Sequence, residues 1–163
     1  MFAVITRVGS ASVEIDGALC ADMGRGLLVL LGVMEGDTGA DAEWLARKVC
    51  AMRIFTDAEG KMNLSLADVG GGITVVSNFT LAADCRKGNR PSFAGAAEPG
   101  EAERLYEYFA KCCRGAGFEV QTGRFGADMK VASVNDGPVT IPLDSRVRYA
   151  ARRSAAGHEE GSK

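Results

Sequence analysis

The run Leu27-Leu28-Val29-Leu30-Leu31, set between Gly26 and Gly32, constrains this chain more than any other stretch. A continuous apolar run of this length suits a strand covered on both faces, so it belongs in the middle of a sheet. At 163 residues with 47% hydrophobic content, the chain is long enough to bury a sizeable core as one domain. Its 21 glycines fit tight turns between short strands, which makes a turn-rich mixed sheet the expected frame.

Around that strand the pattern changes period. Residues 2–8 are β-forming with Arg7 interrupting them, and residues 11–15 and 18–21 read as a hairpin closed by Asp16-Gly17. Thr38 with Asp41 three residues later marks a helix start, and Leu45, Val49 and Met52 continue at helical spacing, predicting a helix over 39–52. Trp44 beside that stripe is read as helix packing. Short strands are expected at 53–56 and 62–66 around an Asp57-to-Gly60 turn, and a longer alternating strand at 73–80. Residues 82–99 lack periodicity. From Pro99 a second amphipathic helix carries Ala102, Leu105, Tyr106, Phe109, Cys112 and Cys113 as far as Gly115 and Gly117, so both cysteines read as packing residues. Strands at 118–121, 127–134 and 139–143 complete the pattern. The expected domain is 1–150, followed by a polar, disordered tail over 151–163 that holds the lone histidine, His158.

Composition excludes several kinds of chemistry. A net charge of -2 provides no global basic field, so contact with phosphate has to come from local cations. Five cysteines without CxxC spacing suit reduced thiols, and no apolar run approaches the roughly 18 residues of a membrane span. A cytoplasmic protein is therefore expected. One histidine, in the tail, cannot supply a Ser-His-Asp or Cys-His set, and no cysteine-histidine cluster has metal-ligand spacing. No metal or cofactor is expected. An enzyme of this composition would act through positioning and oriented backbone dipoles.

Two polar stretches remain. Ser77-Asn78-Phe79-Thr80-Leu81 closes a β-forming run with clustered hydroxyl, amide and aromatic groups. Asn135-Asp136-Gly137-Pro138-Val139-Thr140 joins a freely rotating residue to one with fixed φ, which can aim two carbonyls where ordinary residues cannot. An ordinary turn and a recognition device both fit it. A third stretch, Arg86-Lys87-Gly88-Asn89-Arg90-Pro91-Ser92-Phe93, reads equally as a solvated turn or as a phosphate or ribose contact.

These motifs resemble those of the D-aminoacyl-tRNA deacylases, which carry SQFTL at a strand end and NxGPVT followed by an acidic residue and serine, here Asp144-Ser145. Arg7-Val8, residues 26–32, Asn63-Leu64-Ser65-Leu66, residues 90–93 and Phe125-Gly126-Ala127-Asp128-Met129 extend the resemblance to about Val147. It implies an α/β fold in which a mostly antiparallel, barrel-like sheet carries two helices, assembled as a homodimer. It implies hydrolysis of the ester of D-aminoacyl-tRNA, with mischarged glycyl-tRNA as a further candidate substrate. In such a protein Gly137 and Pro138, joined by a cis peptide, enter the partner subunit's pocket, hold the α-amino group and exclude an L side chain. Thr80 and the backbone beside Phe79 face the scissile carbonyl, and the 2′-hydroxyl of the terminal adenosine assists. Ser77, Asn78, Ala102, Phe125 and Met129 fall around the substrate; for Phe125 and Met129, core packing is the competing expectation. One departure stands out, since Asn78 occupies the family's glutamine position with a side chain shorter by one methylene. Two rivals share the same composition: a non-catalytic RNA-end binding module, suggested by Arg86, Lys87 and Arg90, and a metal-dependent esterase.

Overall fold

The computed structural model describes residues 1–149, so the expected tail over 151–163, including Arg152, Arg153 and His158, lies outside the described residues. Eight strands and two α-helices follow in the order β1 (Phe2–Ile15), β2 (Ala18–Met23), β3 (Gly26–Gly32), α1 (Gly39–Cys50), β4 (Phe55–Thr56), β5 (Met62–Leu64), β6 (Gly72–Ser77), α2 (Pro99–Gly115), β7 (Val120–Thr122) and β8 (Lys130–Asp144). A four-residue 3₁₀ turn, Phe79–Ala82, lies between β6 and α2.

The main sheet runs β2-β1-β3-β6-β7, with β8 on the other edge of β1. The pairs β1–β2, β1–β3 and β1–β8 are antiparallel, whereas β3–β6 and β6–β7 are parallel. Parallel neighbours need long crossovers, and here α1 bridges β3 to β6 and α2 bridges β6 to β7. Both helices consequently pack on one face, over Ala3, Ile5, Leu27, Val29, Leu31, Ile73 and Val75, with Leu45, Val49, Leu105 and Phe109 supplied from the helices. Val8, Val13, Ile15, Leu28 and Val76 fill the opposite, concave side. The apolar run of β3 is thus covered on both faces, as its composition requires. Gln121 on β7 closes the curl by accepting the Asp22 N–H of β2 at 2.6 Å and donating to the Asp22 carbonyl at 2.9 Å. The sheet is barrel-like and mostly antiparallel, as the resemblance implied, and carries α1 and α2, while a further helical turn occupies residues 147–149 among the described residues.

Local chemistry explains the boundaries. Thr38 caps α1, and the Asp41 carboxylate accepts the Thr38 N–H at 2.9 Å, which completes a reciprocal capping box. Burial acts against ionisation of Asp41, but hydrogen bonds from the Thr38 hydroxyl and N–H and the nearby Arg148 leave its pKa below the usual value. Gly26 and Gly72 begin adjacent parallel strands so closely that a Cβ on Gly26 would lie 2.0 Å from the Gly72 carbonyl oxygen. Trp44 packs partly buried against the core beneath α1, and Cys113 is fully buried between the helices.

Three sequence expectations need correction. The two opening strands are one 14-residue strand, because β8 continues alongside residues 2–14 and holds the backbone extended through Gly9 and Ser10. The strand expected over 73–80 stops at Ser77, where the Asn78 N–H caps the ladder on the Leu31 carbonyl at 2.8 Å and the chain coils into the 3₁₀ turn. The strands expected at 127–134 and 139–143 are a single β8 beginning at Lys130. The Gly-Pro segment does not reverse the chain, since both halves pair antiparallel with the same β1.

One buried polar atom lacks a partner among the described residues: the Thr74 hydroxyl, on a residue with 0% exposure in β6. Thr74→Val removes that hydroxyl at constant shape in a strand. The expected result is a gain of about 1 kcal/mol in unfolding free energy, read from the urea midpoint at constant slope.

Candidate active site

The end of β6 opens onto a cleft of about 1010 Å³, walled by Leu28, Leu30 and Val76 from the sheet and by Ala102 and Tyr106 from α2. Ser77, Asn78 and Phe79 form one rim, and Phe125, Ala127 and Met129 another. Residues 93–97 close a third side. That segment is pinned along the end of β3 by Glu35 N–H to the Gly95 carbonyl at 3.0 Å and Ala97 N–H to the Val33 carbonyl at 3.1 Å. Phe93 then meets Phe79 edge to face, ring centroids 5.1 Å apart. Phe79 is 61% exposed, so this aromatic pair stands at the mouth rather than in the core.

Tyr106 reaches across from α2 and donates its hydroxyl to the Val75 carbonyl at 2.9 Å, locking the helix to β6 beside the cleft. Burial pushes its pKa up to about 12, so it remains a neutral donor. Phe125 leans on Tyr106 with centroids 6.0 Å apart. Phe125 and Met129 therefore both line the cleft and pack against the cores, and the two sequence readings of them are compatible.

The strand end presents backbone rather than reactive side chains. Within the 3₁₀ turn the first hydrogen bond runs from the Leu81 N–H to the Asn78 carbonyl at 3.3 Å, so the N–H groups of Phe79 and Thr80 have no acceptor inside the turn. The Thr80 hydroxyl donates to the Asn78 side-chain oxygen. Among the described residues lining the cleft, only Glu98 and Tyr106 are ionisable, and neither is paired with a nucleophile. No group of three or more potential metal-binding side chains occurs among the described residues.

The Gly137-Pro138 peptide is cis and lies in an outward bulge of β8. Thr6 pairs with Thr140 and Val8 with Asn135, so residues 136–139 stand opposite the single residue Arg7. The Arg7 guanidinium folds under the bulge, with Nε donating to the Asp136 carbonyl at 2.8 Å and Nη1 donating to the Ile54 carbonyl at 2.6 Å. Asn135 bridges the neck of the bulge, accepting the Val139 N–H at 3.0 Å and donating to the Thr140 hydroxyl at 3.0 Å. Gly137 has φ of +149°, and a Cβ there would lie 2.7 Å from the Val139 nitrogen, so the shape demands glycine.

Six of the nine site residues read from sequence line the cleft. Ser77, Asn78, Phe79, Ala102, Phe125 and Met129 line it together, while Thr80 sits just outside, beside Asn78. Gly137 and Pro138 do not line the cleft of their own chain and are exposed. Sequence reading named Phe93 only within the loop stretch of residues 86–93, took Tyr106 only as part of the helix stripe, and missed the neck-closing role of Asn135. It also left Arg7 as an interruption, although a lone cation in an apolar strand pattern was the available sign of a clamp.

The family model described as D-Tyr-tRNA(Tyr) deacylase matches residues 4–144. The chain belongs to that family. A D-aminoacyl-tRNA deacylase of Dehalococcoides mccartyi is 57% identical over 153 residues, covering 94% of this chain and all of the relative. One from Aeromonas hydrophila is 58% identical over 143 residues, covering 88% of this chain and 99% of the relative. Among solved structures, a c-Myc DNA unwinding element binding protein superposes with a TM-score of 0.83 at 40% identity, covering 88% of this chain and 98% of that one.

The Arg7 clamp has a direct test. Arg7→Met keeps the aliphatic bulk but leaves the Asp136 and Ile54 carbonyls without their donor. The expected loss is about 3 kcal/mol of unfolding free energy, with faster hydrogen exchange at Val139. Exchange unchanged from wild type would exclude the clamp.

Proposed function

We propose that this chain hydrolyses the ester joining a D-amino acid to the 3′ end of tRNA, releasing free tRNA and the amino acid. The observation that carries this reading is the meeting of Ser77, Asn78 and Phe79 with Ala102, Phe125 and Met129 around one cleft in which the described residues form no nucleophile-base pair. The names of relatives at 57% and 58% identity support the same reaction.

The aminoacyl-adenosine end occupies the cleft, with Ala102, Phe125 and Met129 against its apolar surfaces and Ser77 and Asn78 offering polar contacts. The ester carbonyl faces Thr80 and the free N–H groups at Phe79, where oriented donors stabilise the negative charge that develops on oxygen. Water adds to the carbonyl carbon and the bond to the ribose oxygen breaks, assisted by the neighbouring ribose 2′-hydroxyl. That assistance replaces the missing side-chain base. Glycyl-tRNA, which has no side chain to exclude, fits the same site.

Handedness is judged by main chain. Gly137 and Pro138 enter the cleft of a second copy, hold the α-amino group with their carbonyls and leave no room for an L side chain, a selection by exclusion. Support for a homodimer comes from β8, which is exposed from Lys130 to Pro138 and displays Val134 at 61% exposure on an open edge.

Purified protein should release D-amino acid from charged tRNA at least 100-fold faster than the L form, and light scattering should return twice the chain mass. Thr80→Val should lower kcat by roughly 10- to 100-fold with the unfolding midpoint unchanged, because Thr80 is exposed. Equal cleavage of both hands, or a fully selective monomer, would overturn the account of chirality; protection of the ester would instead mark an RNA-end binding module.

A further inference from the structure

The stretch between Asp84 and Ser92 is a small hairpin set on the rim of the cleft. Asp84 N–H donates to the Ser92 carbonyl at 2.7 Å and Ser92 N–H to the Asp84 carbonyl at 3.0 Å, which pins both ends. The next residue, Phe93, is the cleft-lining ring that meets Phe79. Seven residues separate the pinned ends, so even the tip lies within roughly 12 Å of the base at about 3.3 Å per residue. Gly88, at φ of +69°, turns the tip.

The three cations of this hairpin are not equivalent. Arg86 is spent locally, since its Nε and Nη2 fork onto the Asp84 carboxylate at 2.6–3.0 Å. That pairing holds the Asp84 carboxyl at about 2, well below the usual carboxylate range, and the two charges cancel. Lys87 and Arg90 have no ion-pair partner among the described residues, and both are exposed. On a chain of net charge -2, two free cations held beside a cleft mouth form a local field that the composition as a whole does not provide.

We propose that this hairpin is a phosphate clamp for the single-stranded 3′ end of the RNA substrate, with Lys87 and Arg90 contacting the phosphates that precede the nucleoside in the cleft. The proposal rests on the deacylase reading of the cleft and adds the RNA contact to it. The Asp84–Arg86 fork stiffens the clamp without competing for phosphate. An acidic peptide would also meet two cations, but the cleft mouth beside them carries the edge-to-face pair Phe79 and Phe93, with Phe79 61% exposed, and such rings offer a base a surface to stack on. The clamp binds backbone, so it adds affinity without reading sequence.

The test compares the double variant Lys87→Gln/Arg90→Gln with wild type on D-aminoacyl-tRNA and on D-aminoacyl-adenosine, which lacks phosphates. Lys111→Gln, about 13 Å along α2 from Ala102 at 1.5 Å per residue, removes one such charge away from the hairpin and controls for a non-specific effect of losing a cation. The double variant should raise KM for the tRNA substrate about tenfold at low salt, with kcat within twofold and the nucleoside ester unaffected. Each single-strand phosphate contact contributes about 0.7 to the slope of log affinity against log salt, so the slope should become shallower by about 1.4. Equal loss on both substrates, an unchanged slope, or the same effect from Lys111→Gln would overturn the clamp. If wild type cleaves neither ester, the deacylase reading has failed, and binding of a 5′-labelled RNA oligonucleotide decides the clamp separately. The double variant should then lose the same slope, and displacement by polyglutamate as effectively as by RNA would overturn it.

Discussion

Strand β1 carries more of this structure than any other element, because it is hydrogen-bonded along both edges for most of its length. Residues 2–8 pair with β3, residues 11–15 with β2, and residues 2–14 with β8 on the opposite side. A strand shared in this way must bend to serve both partners, and the register shifts around Val8 against β8 and after Val13 against β2 mark where it does so. Arg7 lies at the first of these shifts. Its buried guanidinium fills the space left by the mismatch and satisfies carbonyls from two distant segments. The same residue thus ties the bulge that carries Gly137 and Pro138 to the segment at Ile54.

This arrangement separates the cleft from the Gly-Pro bulge in space. The cleft at the end of β6 is built from elements of the sheet and α2, whereas the Gly-Pro bulge projects from an open edge of the same chain. The bulge is exposed and does not line its own chain's cleft. In the proposed function it meets the second subunit, which makes selectivity depend on assembly while the carbonyl-facing donors stay within one chain. Such a division places few demands on side-chain pKa values, in keeping with a cleft whose only ionisable linings among the described residues are Glu98 and a neutral Tyr106.

Much of the frame was legible in the residue order. The capping pair Thr38 and Asp41, the helical stripe Leu45 and Val49, the Asp16-Gly17 hairpin and the doubly buried β3 are local signals, and each was realised where its pattern stood. Errors fell where a distant partner overrode a local preference. Gly9 and Ser10 look like a break, yet β8 pairs across them. Thr80 looks like strand, yet the Leu31 carbonyl ends the ladder at Asn78. Phe93 was legible only as part of a stretch with two readings, because a loop has no periodicity, and its anchoring to β3 brings the ring to the cleft mouth.

By itself the sequence determined the fold class, the family and the two polar motifs, since hydrophobic period, turn chemistry and motif identity are properties of neighbouring residues. Tertiary structure alone decided that the Gly-Pro segment is a bulge opposite Arg7 and that one cleft gathers the site residues from Ser77 to Met129. Those outcomes depend on which strands lie side by side and which side chains meet across them. Register and long-range packing set both, and neither is encoded in any single window of the chain.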